Sequence, residues 1–360
     1  MTGIGEYTLR LVEALLEGDD VDELYAYHRL GPQRLLEPPA IRHPRRSLYQ
    51  TTLRRTRRLA GILLRRAPLS PGPDSVYHAP NYLPARFNGP TVVTVHDLSH
   101  IHYAHYHPRA RVVAMERLLP RALERANAVI VGSDYVAAEV RAWFGLPAAR
   151  VHAIHHGVDS AFRPLNDDAI RPTLDRYGLV PGGYLLCLAT LEPRKNLHRL
   201  ISAFEALPGA LRAQYPLVLA GAVGWRNADI RERIDRLEAR GELRHLGYLP
   251  AEDRAPLYSG AHGFAYPALY EGFGLPPLEA MACGTPVMTS NRSAMPEVAG
   301  DAALVVDPED IDAMGEGLRR LCEDTPLRER LGRAGPARAA DFTWARCAAA
   351  TAAVYRAALD

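Results

Sequence analysis

Short, continuously apolar β-rich runs alternate with amphipathic stretches along this chain, and that alternation restricts the fold more than any other feature. The runs are TVVTVHD (91–97), AVIVGS (128–133), VHAIHHGVD (151–159), YLLCLAT (184–190), PLVLAGA (216–222), GFAYPA (263–268), PVMTS (286–290) and ALVVD (303–307). A strand that is apolar throughout needs cover on both faces, which predicts parallel sheets flanked by helices. The intervening stretches, such as ARVVAMERLLPRALERA and ADIRERIDRLEAR, repeat their apolar residues at helical spacing. A single core stops growing at about 250–300 residues. The 360 residues here therefore predict two doubly wound α/β domains with a cleft between them. The break is expected near 160–182, where SAFRPLNDDAIRPTLDRYGLVPGG carries Pro164, Pro172 and Pro181 and reads as a linker.

Several classes of protein are disfavoured at once. Cys187, Cys283, Cys322 and Cys347 form no CxxC pair, so neither a zinc ribbon nor a disulfide framework is suggested and a reducing cytoplasm is expected. No run approaches the roughly 18 apolar residues of a spanning helix. The formal charge is +2, and no nucleic-acid partner is expected. At the start, TGIGEYTLRLVEALL reads as a Gly turn opening a helix. A doubly wound half places a strand before such a turn, so the first strand of the first domain is missing and the true start is expected upstream.

Ligands of open parallel sheets bind at the carboxyl ends of the strands, which directs attention to four places. In YEGFGLPPLEAMACGTP (270–286), Pro276 and Pro277 forbid one helix from holding both Glu271 and Glu279, yet suit a first helical turn. Gly272, Phe273, Gly274 and Leu275 are then a loop feeding a short helix that ends at Gly284, with Glu271 in the loop and Glu279 in the helix. The amides of such a loop at a helix N-terminus suit an anion; the alternative is a solvated turn with a stray Glu. In LEPRKN (191–196), Arg194 and Lys195 follow directly on a strand, and Lys195 is the one Lys among 43 basic residues. A planar guanidinium and a compact ammonium together suit phosphate oxygens, against the alternative of a solvated helical turn. His96 and Asp97 end a strand, where a His can hydrogen-bond a hydroxyl or act as a base. Further histidines follow at 100, 102, 105 and 107, without the spacing or cysteines of a metal site. Gly3 and Gly5 fail as a dinucleotide fingerprint, because Thr8 occupies the third Gly position; they read as a close-approach loop facing the cleft.

GIGEYT, VHDL, HHGVD, LEPRKN, GYLP, YEGFGLPPLEAMACGTPV and PEVAGDAALVVDP together resemble the retaining glycosyltransferases of family 4, in the mannosyl- and rhamnosyltransferase branch. That resemblance implies the GT-B fold, two facing Rossmann-like domains: an acceptor-binding domain at 1–165, a nucleotide-sugar-binding domain at 166–340, and a helix at 341–360 crossing back to the first. It implies Glu271 at the donor sugar's hydroxyls and Glu279 on the ribose. It further implies Arg194 and Lys195 at the diphosphate, His96 near the donor sugar and acceptor, and Gly3 and Gly5 under the diphosphate. Tyr248 and Leu249 fall in the loop that meets the nucleobase. His96 and Glu271 are the expected catalytic residues. Ala189 replaces a Gly often found before the Thr-Leu-Glu-Pro run.

The implied reaction moves a mannose- or rhamnose-like hexose, from a donor expected to be GDP-linked, onto a glycan or lipid-linked acceptor of a cell-surface polysaccharide. No Asp-x-Asp accompanies Lys195 or the glycine loop, so no metal or other cofactor is expected. The competing reading is a nucleotide-binding protein without transferase activity, or a sugar-nucleotide epimerase of the same fold. Finally, residues 29–66 hold eleven Arg against the single acid Glu37. SLYQTTLRRTRRLAGILLRR can gather an apolar side flanked by Arg, as an interfacial helix does. A cytoplasmic enzyme in peripheral association with an anionic membrane surface is one expectation, against the alternative of a solvated helix in an Arg-rich chain.

Overall fold

A computed structural model of the chain describes residues 3–28, 31–34, 75–222 and 228–360. The arginine-rich stretch expected to form an interfacial helix lies outside the described residues. An antiparallel pair, β1 (Tyr25–His28) and β2 (Gly31–Arg34), precedes it. A four-stranded parallel sheet follows, in the order β3 (Tyr77–Ala79), β4 (Thr91–Val95), β5 (Ala128–Val131), β6 (Val151–Ala153). The second sheet comprises β7 (Leu185–Leu188), β8 (Leu217–Ala220), β9 (Leu243–His245), β10 (Gly263–Tyr266), β11 (Val287–Ser290) and β12 (Ala303–Val306). Its parallel order is β12-β11-β10-β7-β8-β9. Each of the eight apolar runs contains a strand; β3 (YHA) and β9 (LRH) escape that pattern because, at three residues, they carry histidine and arginine rather than an apolar run.

The central strands are buried along their whole length because helices cover both faces, as in Phe264 and Val287 of the second sheet and Val93 and Val129 of the first. One face of the first sheet is covered by two helices from opposite ends of the chain. Tyr7, Leu11 and Leu15 of the helix Gly3–Glu17 pack with Cys347, Ala348 and Val354 of the helix Trp344–Leu359, over Val92, Ala128 and Ile130. The Tyr355 hydroxyl lies 2.6 Å from His78 Nδ1. The last helix thus belongs to the core of the first domain although it follows the second.

Two expectations change. Residues 160–183 are not a bare linker, because they contain the helix Asp167–Arg176. The Asn166 side chain accepts from Ala169 N at 3.1 Å, two acids occupy the first turn, and Ile170 and Leu174 are buried in the second core. One missing N–H at Pro172 is outweighed by that cap and burial. At the start, Gly3 and Gly5 lie in the first turn of the Gly3–Glu17 helix rather than in a loop, and among the described residues no strand precedes it.

Candidate active site

The strand order of the second, all-parallel sheet reverses between β7 and β10, neighbours whose connections leave to opposite sides. A crevice opens at the carboxyl ends of two such strands, and the two motifs of interest follow them. After β7 the chain makes a tight turn at Pro193–Lys195, closed by Asn196 in the left-handed region at φ 61°. After β10 it runs into Glu271. Lys195 Nζ donates to Glu271 Oε1 at 2.5 Å and to the Tyr266 hydroxyl at 2.8 Å, and that hydroxyl donates to the same carboxylate oxygen at 3.1 Å. Arg194 Nη1 lies 3.1 Å from Glu271 Oε1, and its Nε is buried without a hydrogen-bond partner. The Glu271 amide donates to Ser293 Oγ at 2.9 Å.

Burial raises the Glu271 pKa, but Arg194 and then Lys195 overcome it and hold the carboxyl below its ordinary value. Burial lowers the Lys195 pKa, with Glu271 opposing and the Arg194 charge adding to the depression. Two cations and the Glu271 carboxylate thus meet in a nearly dry crevice, with Asp97 of the first domain a second anion acting on Arg194. Arg194 retains an unused guanidinium N–H, a charged donor suited to an anionic oxygen.

Pro276 and Pro277 occupy the first turn of the helix Leu275–Ala282, entered through Gly274 at φ 108°. Glu279, deep in that helix, is buried. Arg254 Nη1 donates to its Oε1 at 2.9 Å and the Tyr258 hydroxyl to its Oε2 at 2.9 Å. Burial pushes its pKa up to about 7, against the pull of Arg254.

The opposite wall comes from the first domain. His96 follows β4, with Nε2 2.8 Å from the Pro80 carbonyl oxygen. A carbonyl only accepts, so Nε2 carries the proton and Nδ1 is the free lone pair of the neutral ring. Burial lowers the His96 pKa, opposed by that hydrogen bond, so the neutral ring dominates at pH 7. Asp97 is pushed the other way: burial raises its pKa, but Arg194 across the cleft and the Ser99 hydrogen bonds bring it down to about 2.

The glycine loop touches both walls. A Cβ on Gly272 would stand 1.8 Å from the His96 carbonyl oxygen, so only glycine permits this approach. Ser133 Oγ donates to the Gly272 carbonyl at 2.8 Å. The Phe273 ring packs 4.8 Å from His156 and 5.8 Å from Phe342, which leaves its backbone rather than its ring for a ligand.

Residues 1–162 match the family model described as Glycosyltransferase Family 4, and residues 181–338 that described as Glycosyl transferases group 1. Over 99% of its length the chain is 37% identical to an O-antigen chain mannosyltransferase B of Escherichia coli, covering 96% of that protein. The chain belongs to the group 1 glycosyltransferases. A serotype-specific mannosyltransferase WbdA of Escherichia coli is 35% identical over 67% of this chain, which spans 30% of that longer protein. The structure of WaaG, a glycosyltransferase involved in lipopolysaccharide biosynthesis, superposes with a TM-score of 0.69 at 16% identity, covering 98% of this chain and 96% of WaaG. The fold is GT-B.

Of the residues singled out in this glycosyltransferase from sequence, Arg194, Lys195 and Glu271 form one bonded cluster. His96 and Gly272 meet across the cleft, and Glu279 stands in a second cluster with Arg254. Leu249 is buried in the second core beside the half-exposed Tyr248, on a loop tied to β8 by the Gly221 amide donating to the Gly247 carbonyl at 2.7 Å. The histidines after His96 act separately: His102 Nε2 lies 2.8 Å from Glu139 Oε1, and His107 Nε2 lies 3.0 Å from Ser99 Oγ.

Sequence reasoning missed the partners that orient the charges. Arg254 and Tyr258 share a helix face four residues apart, a spacing that could have been read. Glu297 had no such signal. Its carboxylate crosses from the second domain to accept from the Asp134 and Tyr135 amides at 2.9 and 3.1 Å, and lies 2.6 Å from His155 Nε2.

Proposed function

We propose that this glycosyltransferase transfers a mannose-like hexose from a GDP-linked donor, with retention of anomeric configuration, to a glycan or lipid-linked acceptor of a cell-surface polysaccharide. The observation that carries the reading is the Arg194–Lys195–Glu271 cluster at the β7/β10 switch point, facing His96. The hexose identity draws support from relatives named as mannosyltransferases. Cleavage of the bond between the anomeric carbon and the diphosphate leaves negative charge on the nucleotide and positive character on the sugar. Arg194, Lys195 and the amides of the glycine loop stabilise the first. Each preorganised donor of this kind contributes roughly 10²- to 10³-fold. Ionised Glu271 is suited to hold sugar hydroxyls, and neutral His96 presents one lone pair as a hydrogen-bond acceptor.

With two cations at the diphosphate, the transfer needs no divalent metal. Incubation with GDP-mannose, UDP-glucose and dTDP-rhamnose, each with a mannosylated lipid-linked acceptor, tests the donor. Proton NMR of the product reports the anomeric outcome. Product from GDP-mannose with the donor's configuration, undiminished by chelator, is expected; an inverted product or restoration by magnesium overturns the reading. Residues 29–66 extend the proposal to a cytoplasmic enzyme held at an anionic membrane, where each basic side chain contributes about 1 kcal/mol. Sedimentation with anionic vesicles, and not with neutral ones, is expected to be lost when Arg54, Arg55, Arg57 and Arg58 become Gln.

A further inference from the structure

Glu279 is linked to the opposite domain through one side chain. Arg254 donates through Nη1 to Glu279 and through Nη2 to Glu6 Oε1 and Oε2 at 2.9 and 3.2 Å. Glu6 belongs to the first helix of the first domain; Arg254 and Glu279 belong to the second. All three are largely enclosed, with side-chain exposures of 17% for Arg254, 13% for Glu6 and 4% for Glu279. The guanidinium carbon also lies 5.1 Å from the Phe162 ring centroid, which fixes its plane.

We propose that Arg254 is a positioning residue for nucleotide binding: it holds Glu279 in place to accept the ribose hydroxyls, while Glu6 supplies the counter-charge from the facing domain, so that domain closure and ribose binding act through one guanidinium. This rests on the reading that the site takes a nucleoside diphosphate. A guanidinium forks rigidly, so it can serve two carboxylates only when both domains present them together. Removing Arg254 would leave the buried Glu279 carboxylate with no cation beside it and the Tyr258 hydroxyl as its remaining donor, where neutralisation by protonation is the favoured response. A protonated Glu279 accepts a ribose hydroxyl less well than a carboxylate.

The groups facing Glu279 are Arg254 and Tyr258 from the helix Ala251–Ser259, Glu6 from the helix Gly3–Glu17, and Asp159 from the loop after β6, with Cys283 on its own segment. Asp159 is itself paired with Arg10 at 2.5 Å. Arg254 lowers the Glu279 pKa, and Glu6 raises it. Substitutions at the two ends of the bridge therefore move the Glu279 carboxyl in opposite directions, and a positioning role, unlike a purely structural one, carries those shifts into nucleotide affinity.

The experiment follows the Glu279 carboxyl in the unliganded enzyme by 13C NMR from pH 5 to 9, assigned by its loss in Glu279→Gln, alongside GDP calorimetry at each pH. The Glu279 midpoint is expected to rise by about one unit or more in Arg254→Met and to fall in Glu6→Gln, with Arg254→Lys recovering part of the wild-type value. GDP affinity, rising with pH through the wild-type midpoint, is expected to shift with it. An unmoved carboxyl midpoint, or shifts of the same sign in both variants, overturns the bridge. Midpoints that move as expected in an enzyme that binds no GDP, UDP, ADP or dTDP overturn the nucleotide reading and, with it, the positioning role.

Discussion

The two walls of the cleft are built on different electrostatics. In the second domain, charges of both signs converge at the β7/β10 switch point, where Arg194 and Lys195 meet Glu271 with their alkyl stems buried. In the first domain, the described strands β3 to β6 run in chain order without a reversal, and the residues behind the wall are largely neutral. His78, His96 and His156 are all depressed below the ordinary histidine value, each chiefly by burial. Two carboxylates stand apart: Asp97, whose charge is stabilised by Arg194 from across the cleft, and Glu139, which accepts from the Tyr270 hydroxyl of the facing domain. A topological reversal gathers side chains from two strands into one crevice. A monotonic sheet lines its edge one loop at a time, and here it supplies hydrogen bonds and shape.

If this division holds, the largest effect should come from Lys195→Ala. A charge-assisted contact contributes about 1.5–3 kcal/mol, so kcat/KM should fall about 10- to 150-fold, with much of the loss visible as weaker nucleoside diphosphate binding by calorimetry. Lys195→Arg should recover only part, since a planar fork does not replace a point charge. Wild-type kinetics for the Ala variant would place the cation contribution elsewhere.

Gly272→Ala attacks both walls together, because its Cβ would collide with the His96 carbonyl. Overpacking of this kind costs about 1–3 kcal/mol. Turnover should fall by about tenfold or more, while the melting temperature drops by only a few degrees if the cleft opens to relieve the clash. A variant with unchanged rates would show that this approach is not needed during the reaction.

His96→Ala should separate the walls. The loss of one neutral hydrogen bond, about 1 kcal/mol, predicts roughly a fivefold fall in kcat with nucleotide affinity within about twofold of wild type. The acid limb of nucleotide binding should stay where it was, since it belongs to Glu279. Affinity loss without rate loss would move His96 to the nucleotide side.

The smallest effect is thermodynamic. A histidine whose folded-state pKa is depressed binds its proton more readily when unfolded, so its stabilising contribution is present above about pH 6.5 and is lost as pH falls below that value. His78, with its pKa lowered to about 3, is the clearest case. Each such group lowers stability by up to about 1.4 kcal/mol per pH unit over that range. Calorimetry from pH 7 to 5 should show a falling melting temperature, with a shallower slope in His78→Gln. An unchanged slope would mean that the imidazole reaches water when the first domain opens.

Much of this molecule is legible in one dimension because parallel strands between helices are apolar throughout. Thr91–Val95 and Val287–Ser290 reveal themselves by composition alone, and Pro276 with Pro277 locates the start of a helix from local geometry. The residues 167–176 mislead for the same local reason: three nearby prolines suggest a linker, and only the burial of Ile170 and Leu174 against the second core makes a helix there favourable. Gly3 and Gly5 likewise read as a loop until the helix they open is seated beside the final helix.

Two α/β domains, the placement of Glu271 in a loop and Glu279 in a helix, and the cationic turn at Arg194 and Lys195 follow from local sequence, because propensity, proline geometry and apolar patterning act over a few neighbouring residues. Tertiary structure alone decided which charges meet. Arg254 reaches Glu6 across 248 positions of chain, Ser133 reaches Gly272 across 139, and Glu297 caps a helix of the other domain. Such pairings carry no local signature, since the desolvation that makes them strong exists only once both domains have closed water out from between them.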